Sequence, residues 1–274
     1  MKQFVTVEIE YQYKIGPDTY SLQLKAPKIA EHAKPGQFVM VYLDKGELLL
    51  PRPISLCDVD KAAGTITLVY MTVGAGTQVM SQWQAGQHVK IMGPLGNGFT
   101  IDQRLQGKVA IVGGGMGAPP MLFLLKQLAK KGIKADVYLG FKHKFDLPGL
   151  FSLFTHNLQV ATDDGSMGQK GTVMDLLAAN SKTYSAIFSC GPIPMLRALA
   201  AHAKVNSTPC QVALEERMAC GIGACKGCVV KTLVKQAALN PESEASSGAP
   251  MQTSYQLCCQ YGPVYDSQEV AWDA

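Results

Sequence analysis

Gly107-Lys-Val-Ala-Ile-Val-Gly-Gly-Gly-Met-Gly-Ala-Pro-Pro-Met121 is the stretch on which the fold turns. Val109 to Val112 read as a buried strand, a glycine cluster follows, and Met121, Leu122, Leu125 and Leu128 then repeat at helical spacing. Strand, glycine turn and helix together set a helix N-terminus, with its free N–H groups, against a phosphate. Gly114, Gly115 and Gly117 are therefore candidate nucleotide contacts. The match to G-x-G-x-x-G is loose: Gly113, Gly115 and Gly117 are present, but Pro119 and Pro120 occupy the first turn. Proline is tolerated there because those positions have no helical partner for an N–H. No acidic residue stands as an obvious ribose ligand further on, and Asp136 is the nearest candidate.

Downstream, the alternation of strand and helix continues. Ala135 to Gly140, Leu158 to Thr162 and Ala186 to Cys190 are strand-like, while Val173 to Leu177 and a segment through Leu199 are helical. Ligands in such parallel sheets bind outside the carboxyl ends of the strands. That rule selects Gly114 to Gly117, Thr162 to Ser166 with Asp164, and Cys190 to Met195. Cys190 is also readable as a small buried hydrophobe at a strand end.

Upstream, the first hundred residues are short strands broken by turns, as in a small antiparallel barrel. Two segments stand out. Arg52, between Pro51 and Pro53 and followed by Ile54 and Ser55, offers a guanidinium for a phosphate and a hydroxyl for a ring edge. Val69, Tyr70 and Met71 form a strand running into a glycine turn at Gly76 and Thr77, whose N–H groups suit a pyrophosphate. Each is also ordinary barrel furniture, and only in tandem do they carry weight.

Near the C-terminus, Cys220, Cys225 and Cys228 are spaced C-x4-C-x2-C, with further cysteines at 258 and 259. This is the plant-type pattern for a [2Fe–2S] cluster. Gly221, Gly223 and Gly227 let backbone N–H groups approach the sulfurs. Structural zinc is the rival, but its ribbons use two equal short knuckles. Eight cysteines without a secretory leader read as cytosolic thiols and metal ligands, leaving Cys57, Cys190, Cys210 and one of the 258/259 pair as non-ligands. The net charge of +4 argues against nucleic acid, and no apolar run is long enough to span a membrane. A cytoplasmic protein is expected.

Arg52-Pro53-Ile54-Ser55 resembles the flavin motif of the ferredoxin–NADP reductase superfamily, and Val69-Tyr70-Met71 with Gly76-Thr77 resembles its next flavin-lining strand and phosphate turn. Gly93 to Phe99 is similar to the loop that closes that barrel. Cys190-Gly-Pro-Ile-Pro-Met195 and the Asp163–Ser166 turn resemble its nicotinamide domain, which implies that Cys190 lies near the nicotinamide. Leu214 to Cys228, with Cys259-Gln-Tyr-Gly-Pro-Val-Tyr265, closely resembles a narrower family: electron-transfer subunits of NAD-dependent (class 1B) dihydroorotate dehydrogenase, whose closing motif is C-x-D-G-P-V-F.

The resemblance implies a multi-domain β plus α/β chain: an FAD-binding barrel over 1–100, a Rossmann-like NAD domain over 101–211 and a [2Fe–2S] module over 212–274. That last piece is too short for a free ferredoxin. Register assigns Cys259 as the fourth ligand, with Cys258 as the alternative. The implied partner is an FMN-containing catalytic subunit in a two-plus-two heterotetramer that oxidises dihydroorotate for pyrimidine biosynthesis, chemistry this chain does not perform alone. Tyr261 departs from the family aspartate, and 231–256 is a longer insertion whose 240–250 part reads as a mobile loop. Flavin/iron–sulfur subunits of a hydrogenase, a sulfide-linked enzyme or a transhydrogenase share the order of parts, and a zinc-binding adaptor is the rival of another class.

Overall fold

The computed structural model describes the chain except residues 1, 44, 45, 47, 103, 104, 106, 181, 236–250, 273 and 274. The N-terminal part is a closed antiparallel barrel. Its elements are β1 (Gln3–Gly16), β2 (Thr19–Lys25), α1 (Pro27–His32), β3 (Phe38–Tyr42), β4 (Arg52–Asp60), β5 (Thr65–Met71), α2 (Ala75–Met80) and β6 (His88–Leu95). The strands close in the order β1-β2-β5-β4-β3-β6. Alternation drives closure: Ile9, Leu22, Leu24, Leu56, Ile66 and Leu68 all point inward and are fully buried. Gly76 and Thr77, expected in a glycine turn, instead form the first turn of α2. The sequence had marked the break in the strand but not the helix after it.

The second part holds β7 (Val109–Gly114), α3 (Ala118–Lys130), β8 (Ala135–Phe141), α4 (Pro148–Phe151), β9 (Leu158–Thr162), β10 (Gln169–Lys170), α5 (Val173–Ala178), β11 (Ala186–Cys190), α6 (Ile193–Val205) and β12 (Cys210–Ala213). The chain ends with β13 (Val229–Lys235), β14 (Met251–Leu257), α7 (Cys258–Tyr261) and β15 (Val264–Asp266). The large sheet runs β10-β9-β8-β7-β11-β12-β15, all parallel except β15, which lies antiparallel to β12. Strand order reverses between β7 and β11, so the crevice for a ligand opens there.

Two features tie the parts together. Helix α3 is apolar nearly all round: Phe123 packs into the barrel core while Leu124, Leu125 and Leu128 pack under the sheet. Its Lys126 Nζ reaches Asp58 Oδ2 on β4 at 2.6 Å. The second tie is β15, which makes the C-terminal segment the edge of the nucleotide sheet. The β13–β14 hairpin occupies both flanks of the insertion, and the expected loop at 240–250 lies outside the described residues. Among the described residues no helix is long and apolar enough to cross a membrane.

Candidate functional site

A cleft of about 1280 Å³ separates the barrel from the chain that follows β12. Its size exceeds the roughly 300–1,000 Å³ of a drug-sized ligand site and suits a dinucleotide. The barrel wall carries Arg52, Pro53, Ile54 and Ser55 at the start of β4, Val69, Tyr70 and Met71 at the end of β5, and Thr77 on α2. These are the residues the sequence singled out, gathered on one wall. Adjacent ladder positions hold them: Arg52 pairs with Val41 and Ser55 with Phe38, while Val69 and Tyr70 pair with Ser21 and Tyr20.

Arg52 folds over α2. A Cβ at Gly76 would lie 2.2 Å from the guanidinium, so only glycine lets the cation close on that helix start. Thr77 spends its hydroxyl locally, accepting from Val73 N–H at 2.9 Å and donating to the Gly74 carbonyl at 3.1 Å. Tyr70 stacks on Tyr20 at 5.7 Å and donates its hydroxyl to Gln12 Oε1 at 2.8 Å. Gln12 gave no signal in the sequence, since its role depends on a partner 58 residues away.

The opposite wall is Leu214 to Met218, Gly227 and Pro263, with Met116 and Pro120 contributed from the glycine cluster. This run lacks any period, and in the sequence only its likeness to the family segment that ends in Cys228 marks it. The three glycines there differ in role. A Cβ at Gly114 would meet Met195 Sδ at 2.5 Å, and one at Gly117 would meet the Cys190 carbonyl carbon at 2.4 Å. Both let the β7 and β11 ends pack. Gly115, at φ +51°, faces open space and is the one with room for a ligand.

Cys190 ends β11 and is 3% exposed. Burial, and then the Glu215 carboxylate, push its thiol up, which favours the protonated form. Asp164 lies beyond β9, where its carboxylate accepts from Ser166 N–H and Oγ and meets His143 Nδ1 at 2.8 Å. Hydrogen bonds from Ser166, then from His143, hold it well below the usual carboxylate range. Asp136 does not serve as a ribose ligand. It is the second residue of β8, at the amino end of the sheet, 1% exposed and paired with Lys108 at 3.1 Å and Lys182 at 2.9 Å. Lysines from two other segments claim it because an unpaired buried carboxylate there would be costly.

The cysteines pair off. Cys225 N–H donates to Cys220 Sγ at 3.3 Å, and Cys259 N–H to Cys228 Sγ at 3.4 Å. Burial alone would raise Cys220, yet N–H groups of Cys225, Ile222 and Ala224 bring it down to about 6. Burial, then the Cys228 sulfur, push Cys259 up to about 12. Gly221 and Gly223 adopt φ +69° and +87° so that the loop can turn its N–H groups inward. Cys258 points elsewhere, its thiol donating to the Leu214 carbonyl at 3.7 Å. Among the described residues no three His, Cys, Asp or Glu side chains converge on one point as a single metal ion requires. The donor set is all sulfur, which fits an iron–sulfur cluster.

Residues 6–99 match the oxidoreductase FAD-binding domain family, and residues 215–240 match the iron–sulfur cluster binding domain of dihydroorotate dehydrogenase B. The chain is 41% identical over 265 residues to the dihydroorotate dehydrogenase B (NAD(+)) electron transfer subunit of Bacillus caldolyticus, covering 94% of this chain and 95% of that one. The counterpart from Desulforamulus reducens is 38% identical over 267 residues, with 95% of each chain covered. Among solved structures, a chain of the NADH-dependent reduced ferredoxin-NADP oxidoreductase superposes with TM-score 0.81 at 27% identity, covering 97% of this chain and 90% of that chain. The ferredoxin reductase of carbazole 1,9a-dioxygenase shares the fold at TM-score 0.64 and 16% identity, over 76% and 67% of the two chains. The barrel with its flavin wall, the parallel sheet and the paired cysteines are thus those of one lineage: the chain belongs to the electron transfer subunits of NAD(+)-dependent dihydroorotate dehydrogenase B.

Proposed function

We propose that the chain relays electrons from a catalytic subunit that oxidises dihydroorotate, through a [2Fe–2S] cluster and FAD, to NAD⁺. The observation that carries this reading is the shared cleft: the same cavity is walled by the flavin-type strands and by the segment that runs into Cys220. FAD, when bound, couples the one-electron traffic of an iron–sulfur centre to the hydride that NAD⁺ accepts. The residues divide the work. Arg52 pairs with the pyrophosphate, helped by the N–H groups at Gly76 and Thr77, while Ser55 and Tyr70 bound the ring system. Pro53, Ile54, Val69 and Met71 supply its apolar bed. Gly115, between Gly114 and Gly117, lets the nicotinamide nucleotide approach the end of β7, with Asp164 and Cys190 bounding it at the ends of β9 and β11. Cys220, Cys225, Cys228 and Cys259 would hold the cluster through their four sulfurs.

The partner is an FMN-containing subunit in a two-plus-two heterotetramer in the cytoplasm, and the chain alone does not oxidise dihydroorotate. Anaerobically purified protein should show flavin bands with iron–sulfur shoulders and reduce a dye with NADH. Adding the FMN subunit should join dihydroorotate oxidation to NAD⁺ reduction. A colourless protein would refute the cofactors, while dye reduction without coupling would refute the pyrimidine assignment alone. The 27% identity to the ferredoxin-NADP oxidoreductase chain favours a second reading, a transhydrogenase-type relay. That reading predicts coupling to a ferredoxin or NADP-linked subunit instead.

A further inference from the structure

Tyr265 stands in the middle of β15, opposite Val212, and is 5% exposed. Its hydroxyl is one of two buried side-chain polar atoms, among the described residues, with no hydrogen-bond partner. A buried hydroxyl left without a partner is rare and calls for an explanation. The surroundings narrow the choice. The ring lies against the turn that carries Cys259: a Cβ at Gly262 would sit 2.4 Å from its Cε2 and 2.8 Å from its hydroxyl oxygen. Tyr265 shares its apolar cluster with Cys228, Cys258 and Cys259. Cys258 already donates to the Leu214 carbonyl.

We infer that the Tyr265 hydroxyl donates a hydrogen bond to a sulfur on the buried side of the cluster, at the Cys228–Cys259 pair, and so sets its reduction potential. Reduction adds one electron to the cluster and makes its sulfurs more negative. A donor aimed at them therefore binds the reduced form more strongly and raises the potential. Tyr265 acts here as a positioning and tuning residue on the buried side, where the bond is not diluted by water.

The inference rests on the reading of the four cysteines as cluster ligands, and the test separates the two. Wild-type protein and Tyr265→Phe are purified anaerobically with their iron, sulfide and flavin contents measured. Each is then titrated with the reduced cluster followed by electron paramagnetic resonance. The expected result is equal iron and sulfide, and a midpoint potential for Tyr265→Phe shifted to more negative values. An unchanged potential with full cluster content overturns the inference and leaves the ligand assignment intact. Absence of iron and sulfide in the wild type overturns the ligand assignment itself. Should the phenylalanine variant hold too little cluster to titrate, 3-fluorotyrosine placed at 265 asks the same question without removing the oxygen. Its more acidic hydroxyl donates more strongly, so the potential should move positive, and an unmoved potential again overturns the inference.

Discussion

The two walls of the cleft are built on different principles. On the barrel side, Arg52 to Ser55 and Val69 to Met71 lie in strands whose neighbours pair with them residue by residue. On the other side, Leu214 to Met218 and Pro263 follow no repeating pattern and are fastened point by point. Leu214 N–H donates to the Pro263 carbonyl at 2.9 Å, Asn97 Nδ2 to the Tyr261 carbonyl at 2.9 Å, and Gln211 bonds both ways to the Thr100 backbone at 2.9 Å. A ladder shares load among many bonds, whereas separate ties can be lost one at a time. The first wall is thus a continuous, rigid surface. The second is the part that brings the cysteines to it.

If the walls serve separate groups, damage on one should leave the other's group in place. The largest effect is expected at Cys259. Cys259→Ser should abolish the iron–sulfur absorbance and keep the flavin, whereas Cys258→Ser should keep both. Loss of iron in the second variant rather than the first would transfer the ligand role to Cys258. A control away from both walls is Asp136. Asp136→Asn should destabilise the protein by about 3 kcal/mol, the low end for removing one partner of a buried pair, because both lysines reach water. Burial alone would raise its carboxyl, but Lys182 and Lys108 outweigh that and its pKa lies below the usual value. Its stabilisation is therefore present above the unfolded value of about 3.9 and is lost as pH falls through the lower folded value. Chemical denaturation at neutral and acid pH should show the variant's deficit shrinking in acid, with both cofactor spectra unchanged at neutral pH. A deficit that persists undiminished in acid would contradict the pairing.

How much of this was legible in the sequence follows the same division. Strands β1, β5, β7 and β11 announce themselves by alternation or by apolar runs, because their partners impose a period on the side chains. The cysteine spacing is local and can be read directly. Three things could not be read. The helix at Ala75–Met80 is short and starts on glycine, with no side-chain cap at its N-cap position to mark it. Strand β15 is three residues long and exists because β12 offers it an edge. Asp136 is only the nearest acidic candidate for a ribose ligand by its distance from the glycines. Sequence distance does not tell which end of a strand a residue occupies, and the structure puts it at the end away from the cleft.

Back on the barrel wall, Arg52→Ala should weaken flavin binding by about 1.5–3 kcal/mol, or about 10–150-fold, the range for a charge-assisted hydrogen bond. Iron content should stay at the wild-type level. Flavin release on dilution, followed by fluorescence, measures the first, and loss of iron alongside flavin would show that the walls are not independent.

The smallest change expected is also the one that probes the seam between them. Asn97 belongs to the loop that closes the barrel, and its side chain holds the Tyr261 carbonyl, two residues past Cys259. Asn97→Ala removes its side-chain bonds to the Tyr261 carbonyl at 2.9 Å and, more weakly, the Gln260 carbonyl at 3.4 Å. Its own N–H to the Gly262 carbonyl and the ties of Leu214 and Gln211 remain, so the cost should be about 1 kcal/mol, the net worth of an ordinary hydrogen bond. In a protein of this length that is a fall of about 2–4 °C in melting temperature. Flavin affinity should be untouched, since the barrel wall does not depend on Asn97. Cluster loss to an iron chelator should quicken, because the turn carrying Cys259 is then held on that side by the Asn97 backbone alone. An unchanged rate of iron loss would mean that the remaining ties hold this wall as firmly as the strands hold the other, and the contrast between a continuous bed and a fastened arm would fail.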